Sequence, residues 1–278
     1  MVSGAEASLP GRQRREPPPF RRAVVARRSP LGGRLVRVTL AGPELEGFPV
    51  PPPAASVRVL LPSPGSALVV PVWTGNEYLL PEGRRPVLRT LTPRAVDPER
   101  AVLELDVLVH GEGAASQWAA AATVGSPVAV SGPGRGAVLD PGASAYLVAG
   151  DETALAAVAQ LLECLPATTA VTVVLETAEP GATVALPGHP GADVRWVVLP
   201  PGARPGDALV RAVVETGIEP GTALWAAGEA AAMQRLRRHL FDELGLARSG
   251  AAVRGYWKMG RAGDVESTGA PQAPPPGG

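Results

Sequence analysis

The stretch that most constrains this chain runs from Tyr146 to Ala154 and reads Tyr-Leu-Val-Ala-Gly-Asp-Glu-Thr-Ala. Leu147, Val148 and Ala149 are apolar without alternation, the pattern of a parallel strand covered on both faces. The strand breaks at Gly150 directly into a helical pattern carried by Thr153, Ala154, Leu155, Ala157, Val158 and Leu161. In open parallel sheets, ligands sit in the crevice at the carboxyl ends of the strands, where free helix N–H groups meet anions. A mononucleotide or dinucleotide is therefore the first ligand this junction predicts. The Gly-rich dinucleotide fingerprint is absent, and most strand-Gly-helix junctions without it are ordinary turns, so the junction alone is a weak signal.

Around this junction the chain changes character near residue 140. From 144 onward the pattern predicts strand 144–149, helix 153–165, strands 170–176 and 194–199, helix 206–217, strand 222–227, helix 229–244 and a terminal strand near 252–257, an open parallel sheet. Before it lie short segments of β type, Arg34 to Leu40, Ser56 to Leu61, Ala67 to Val72, Val102 to Val109 and Pro127 to Ser131, punctuated by Pro and Gly turns. Such spacing predicts an antiparallel barrel, because closure removes exposed strand edges. The expected organisation is a tail over 1–20, a β-barrel domain over 21–140, an α/β domain over 141–262 and a second tail over 263–278. Both tails are too rich in Pro, Gly or Arg to bury enough apolar surface to order themselves; Arg12, Arg14 and Arg15 fall in the first and read as solvated.

Composition excludes several function classes. With 26 basic and 26 acidic residues the formal net charge is zero, against the basic face a nucleic-acid binder needs. No apolar run approaches the roughly 20 residues of a membrane-spanning helix, and the N-terminus has no apolar signal core, so a cytoplasmic monomer is expected. One cysteine, Cys164, leaves no disulfide framework or Cys-rich metal site, and its place at a helix end predicts a packed structural thiol.

A barrel followed by a nucleotide-type α/β domain brings two cofactors together across a cleft, which points to flavin plus nicotinamide. The barrel must then offer a cation and backbone N–H groups for phosphates and donors for a ring. Arg89-Thr90-Leu91-Thr92-Pro93-Arg94 supplies a guanidinium and hydroxyls on a strand ended by Pro93. His110-Gly111-Glu112-Gly113-Ala114-Ala115-Ser116-Gln117-Trp118-Ala119 supplies a Gly-rich turn into a helix that Ser116 can cap.

These blocks carry a resemblance. Arg-Thr-x-Thr-Pro-Arg, Leu-Val-His-Gly with Gly-x-Ala-Ser-x-Trp-Ala, Ser-Gly-Pro-Gly-Arg-Gly, Ala-Gly-Asp-Glu-Thr-Ala-Leu, Trp-Ala-Ala-Gly-Glu-Ala and Gly-Tyr-Trp-Lys-x-Gly follow in register from about residue 22 to 261. Together they resemble the siderophore-interacting protein family, FAD-containing ferric-siderophore reductases of the ferredoxin reductase-like superfamily. The resemblance implies that Arg89, Thr90, Leu91 and Thr92 hold the FAD phosphates and flavin edge, that Val109 and His110 line the flavin, and that Gly113, Ala115 and Ser116 cradle the pyrophosphate. It further implies that Gly150, Asp151, Glu152 and Thr153 form the nicotinamide side of the cleft, with Gly228 and Glu229 as the opposite lip and Tyr256 and Trp257 approaching from the C-terminus. Thr92 and Asp151 are then expected near the transfer path.

One departure stands out. The family commonly carries an aromatic residue where this chain has Leu91, so weaker flavin retention is expected, since a stacked pair contributes roughly 0.5–1.5 kcal/mol beyond area burial. Glu176, at the end of the second α/β strand, is placed to bond ribose hydroxyls and repel a 2′-phosphate, favouring NADH over NADPH. Lys258, the only lysine in the chain, follows the Tyr-Trp pair and is nominated for an anionic siderophore or the nucleotide. The expected function is NAD(P)H-dependent reduction of a ferric siderophore with release of Fe(II), with no metal held by the protein itself. A non-catalytic flavin or nucleotide sensor, and a flavin enzyme of secondary metabolism acting on an organic acceptor, stay open as alternatives.

Overall fold

The computed structural model describes residues 16–62, 66–111 and 113–260. Its first half contains β1 (Arg21–Gly32), β2 (Leu35–Ala41), β3 (Val57–Leu61), the short β4 (Val72–Trp73) and β5 (Tyr78–Leu79), β6 (Val87–Leu91), β7 (Pro93–Asp97), β8 (Val102–Leu108), α1 (Ala114–Ala121) and β9 (Pro127–Ser131). Seven of these strands form an antiparallel sheet in the order β6-β3-β9-β1-β2-β8-β7. Its two outermost strands, β6 and β7, are consecutive in the chain and separated by Thr92 alone, so the sheet curls until its ends meet at that residue. Alternation sets the interior: along β8, Leu103, Leu105 and Val107 point inward, and they pack with Val25, Val38, Leu40, Val59 and Val130. The β1–β2 hairpin turns through Gly32 and Gly33 at φ +111° and +52°, a backbone region glycine enters without steric cost.

The second half contains β10 (Ala145–Asp151), α2 (Leu155–Cys164), β11 (Ala170–Thr177), β12 (Ala192–Val198), α3 (Asp207–Thr216), β13 (Thr222–Glu229), α4 (Ala230–Arg237) and β14 (Ala251–Trp257). All five strands are parallel, in the order β12-β11-β10-β13-β14. Helix α2 covers one face of the sheet, with Leu155, Val158, Leu161 and Leu162 against Val148, Val173 and Trp225. Helices α3 and α4 cover the other, with Leu209, Val213, Met233 and Leu236 against Leu147, Val174 and Leu224. The chain leaves β10 toward β11 on one side and returns to β13 on the other, so the strand order reverses between β10 and β13 and opens a crevice at their carboxyl ends.

Several local expectations are corrected. β1 is not among the predicted strands: its outward residues include Val24 while its twelve residues carry four arginines and one proline, so no clean alternation marks it. Of the strand expected over Ala67 to Val72 only Val72 is in a strand, the short β4, and the strands β6 and β7 flank Thr92. The helix expected over 229–244 is α4 followed by a wider turn of helix, Arg238–Glu243. Pro18 and Phe20, expected in the tail, are held on the barrel: the Pro18 carbonyl accepts from the Ser131 hydroxyl, and the Phe20 ring packs edge-on against Tyr78. Residues 1–15, with the N-terminal arginine cluster, and 261–278 lie outside the described residues.

Candidate active site

The barrel side is built on one ledge. Leu91, Val109, Ala114, Ala115 and Trp118, three of them expected flavin-side positions, are all half-buried and pack on the same barrel core. Helix α1 starts after Gly113 with no side-chain cap, leaving its first backbone N–H groups without helical partners. Ser116 does not cap it. Its buried Oγ reaches back and accepts from the His110 N–H at 2.7 Å, tying the Gly-rich turn to the helix. The His110 ring is exposed, and Glu112 lies outside the described residues. Among the described residues the Arg89 guanidinium bonds to the Leu88 carbonyl at 2.6 Å and meets no carboxylate, while Thr90 is exposed on the same strand. Arg94 turns away and pairs with Glu163 of α2 at 2.9 and 2.5 Å.

On the other side, the acids at the crevice are committed to the protein's own donors. Asp151 is buried and accepts from the Thr153 N–H at 2.9 Å, the Thr153 hydroxyl at 2.5 Å, the Glu229 N–H at 3.1 Å and the Trp257 indole at 2.8 Å. Desolvation pushes its carboxyl above the usual range, and these four donors pull it back toward ionisation. A carboxylate so occupied holds elements together at the crevice. Glu152 is likewise a joint: it pairs with Arg34 of the barrel at 2.5 Å and accepts from the Ala178 N–H at 3.2 Å. Glu229 caps α4 through the Ala232 N–H at 2.9 Å and receives the Met259 N–H at 3.3 Å.

Glu176 also differs from expectation. Its two oxygens accept from the Gly206 and Leu209 N–H groups at 2.7 and 2.9 Å, which caps the start of α3, and burial raises its pKa. The preference for NADH rested on that acid facing the ribose, so it loses its support. The glycines behave as the junction requires: a Cβ at Gly150 would lie 2.6 Å from the Ala154 Cβ, and one at Gly228 would lie 2.7 Å from Asp151 Oδ2. Cys164 is exposed, not packed, because the helix end leaves it outside the α2 core; partial burial and Glu163 push its thiol up. Lys258 is exposed just beyond β14.

Thr92 and Tyr256 join the two sides. The Thr92 hydroxyl, buried at the seam of the barrel, lies 3.4 Å from the Tyr256 phenol at the end of β14, whose pKa burial raises. Around this contact the halves are pinned by residues that sequence reasoning missed. Gln160 of α2 donates to the Pro93 carbonyl at 2.7 Å and accepts from the Ala54 N–H at 2.8 Å, and Arg254 donates to the Gly136 carbonyl at 3.1 Å. Gln160 had a signal: it is the one amide in an otherwise apolar helical face. Arg34 had only its place after the Gly32-Gly33 turn.

Residues 24–137 match the siderophore-interacting FAD-binding domain, and residues 143–260 match the siderophore-interacting protein domain. The chain belongs to the siderophore-interacting protein family. Among its relatives, ferric vibriobactin reductase ViuB of Vibrio cholerae is 30% identical over 241 residues, covering 84% of this chain and 88% of the relative. The crystal structure of a siderophore utilization protein from T. fusca superposes with a TM-score of 0.80 at 34% identity, covering 90% of this chain and 97% of that one. The fold alone is shared with the ferredoxin reductase of carbazole 1,9a-dioxygenase, at a TM-score of 0.62, 16% identity and coverage of 88% and 71%. Membership implies FAD, and the barrel ledge fits it. A guanidinium at Arg89 that meets no carboxylate among the described residues and the uncapped start of α1 suit phosphates, and the half-buried apolar side chains of Leu91, Val109 and Trp118 suit a planar ring.

No helix among the described residues is long and apolar enough to cross a membrane, and no cluster of side chains there could hold a metal ion.

Proposed function

We propose that this protein is a flavin-dependent NAD(P)H oxidoreductase that reduces ferric siderophores. The observation that carries the reading is the Thr92–Tyr256 contact, which brings the barrel ledge against the strand-end crevice so that a ring on one and a ring on the other would meet. Bound FAD supplies two-electron chemistry toward a nicotinamide and one-electron chemistry toward Fe(III), so one NAD(P)H reduces two ferric ions and yields NAD(P)⁺ and a proton. Arg89 and the start of α1 would hold the phosphates, while Leu91, Val109 and Ala115 exclude water from one ring face. Gly150 and Gly228 keep the crevice floor free of side chains, and Thr92 offers a hydroxyl at the meeting point. No side chain needs to act as general base. Fe(II) binds the hard oxygen donors of a siderophore far more weakly than Fe(III) does, so reduction releases the metal. With Glu176 committed to α3, that acid does not select NADH over NADPH. The supply of reduced nucleotide makes the cytoplasm the place of action.

Purified protein reconstituted with FAD should bleach anaerobically on adding NADH or NADPH. Adding a ferric siderophore and a ferrous chelator should then restore the flavin absorption as the ferrous complex forms. A flavin that binds but never bleaches would leave the sensor reading, and bleaching without any turnover on ferric siderophores would favour an organic acceptor.

A further inference from the structure

Trp257 stands at the end of β14, one strand beyond β13, yet its indole N–H reaches Asp151 on β10. Adjacent strands lie about 4.8 Å apart, so the side chain bridges two strand spacings across the carboxyl end of β13. Two features allow that reach. Gly228 carries no side chain in the way, and a Cβ there would collide with the same Asp151 oxygen that receives the indole. The β13–β14 register also slips at this point, Gly228 facing Gly255 and Glu229 facing Trp257, so Tyr256 is the extra residue of a bulge. Bulges beside sites re-aim side chains. Here Tyr256 packs edge-on against Trp225 and meets Thr92, while Trp257 is freed to lie over the crevice. The next residues are held too, through the Met259 N–H and Glu229.

We propose that Asp151 is a positioning residue for the nicotinamide step, acting through Trp257: its carboxylate holds the indole across the crevice where strand order reverses, so that the indole presents a fixed face to the nicotinamide ring. This deepens the functional reading above and rests on it. The buried carboxylate is thereby assigned no contact with substrate. An indole without its anchor has to be ordered when the nucleotide binds, which weakens binding by about two- to tenfold.

The test is a mutant cycle on the FAD-loaded protein, with NADH as probe and near-ultraviolet circular dichroism of the nucleotide-free protein as a second readout. Asp151→Ala and Trp257→Phe should each raise KM for NADH about two- to tenfold and remove the same tryptophan dichroism band, and the double variant should be no worse than either single one. Asp151→Asn keeps one carbonyl oxygen that can face Trp257 and the Glu229 N–H; the Thr153 hydroxyl turns to accept from the new amide, and the Thr153 N–H loses its acceptor, a cost to stability that leaves the indole anchor in place. It should hold KM near the parent value. Additive losses in the double variant, or a Trp257→Phe protein with parent KM and dichroism loss confined to the phenylalanine exchange itself, would overturn the assignment. If Asp151→Ala does not fold, Trp257→Phe and Asp151→Asn decide the matter against the parent. A parent protein that never oxidises NADH sinks the functional reading instead, and the dichroism arm then still tests whether Asp151 anchors the indole.

Discussion

Removing the Arg34 guanidinium should damage this protein more than removing both members of its ion pair. Glu152 has a side chain only 7% exposed, and Arg34, at 26%, is its one cationic partner among the described residues, 2.5 Å away across the junction of barrel and parallel sheet. Truncating one member of a buried pair costs about 3–5 kcal/mol because the other charge is left desolvated. The partial exposure of Arg34 and the surviving bond from the Ala178 N–H at 3.2 Å bring the expectation for Arg34→Ala down to about 2–3 kcal/mol. At about 2–4 °C per kcal/mol for folds of this size, thermal denaturation should move down by about 4–12 °C. Glu152→Gln should cost less, and adding it to Arg34→Ala should recover part of the loss, since no buried carboxylate remains. Calorimetry of the three variants settles the order. A double variant whose loss is the sum of the single losses would refute the claim that desolvated charge dominates this joint.

Gly150→Ala should destabilise by about 1–3 kcal/mol, because its Cβ would overlap Ala154 and crowd the Ala227 carbonyl in a packed junction, and denaturant unfolding will read it; a neutral outcome would mean the turn yields. All three tyrosines, Tyr78, Tyr146 and Tyr256, are raised above the ordinary phenol range, each chiefly by burial. The fold therefore favours their neutral forms, a contribution fully present below about pH 10 and lost as pH rises through the higher folded values. Alkaline ultraviolet titration should show little tyrosinate at about pH 10 in the native protein, then ionisation together with unfolding; ordinary titration of all three would contradict the burial account. Leu91→Tyr, on the half-buried ledge, should tighten FAD by up to about tenfold through ring stacking, measured by titrating apoprotein, and equal dissociation constants would remove position 91 from the retention argument.

Period and burial made much of the architecture legible. The non-alternating apolar run Leu147 to Ala149 does form the central strand of a parallel sheet, but the strand does not break at Gly150: it stays paired through Asp151, and the crevice opens at that end. Blocks in register grouped Arg89, Leu91, Val109 and Ala115, of which Leu91, Val109 and Ala115 pack against the barrel core. The strand β1 escaped notice for the opposite reason: one of its faces is solvated and arginine-rich, so its burial shows only once β2 and β9 pair with it.

What each acid does was decided by tertiary structure alone. Asp151, Glu152 and Glu176 each stand at a strand end, where a carboxylate can meet a nucleotide or a backbone donor, and residue type does not distinguish the two. Their partners are distant in the chain: Trp257 is 106 residues from Asp151, Arg34 is 118 from Glu152, and Gly206 is 30 from Glu176. A local pattern reports which face of an element is buried, because burial repeats with the period of the element. It does not report which donor arrives opposite a given oxygen, since that depends on how β10, β13, β14 and the barrel hairpin pack against one another. The chain's own composition and periodicity thus determined a barrel, a parallel sheet and a crevice between them; packing decided that the acids at the crevice bind the protein itself and leave its floor to the glycines.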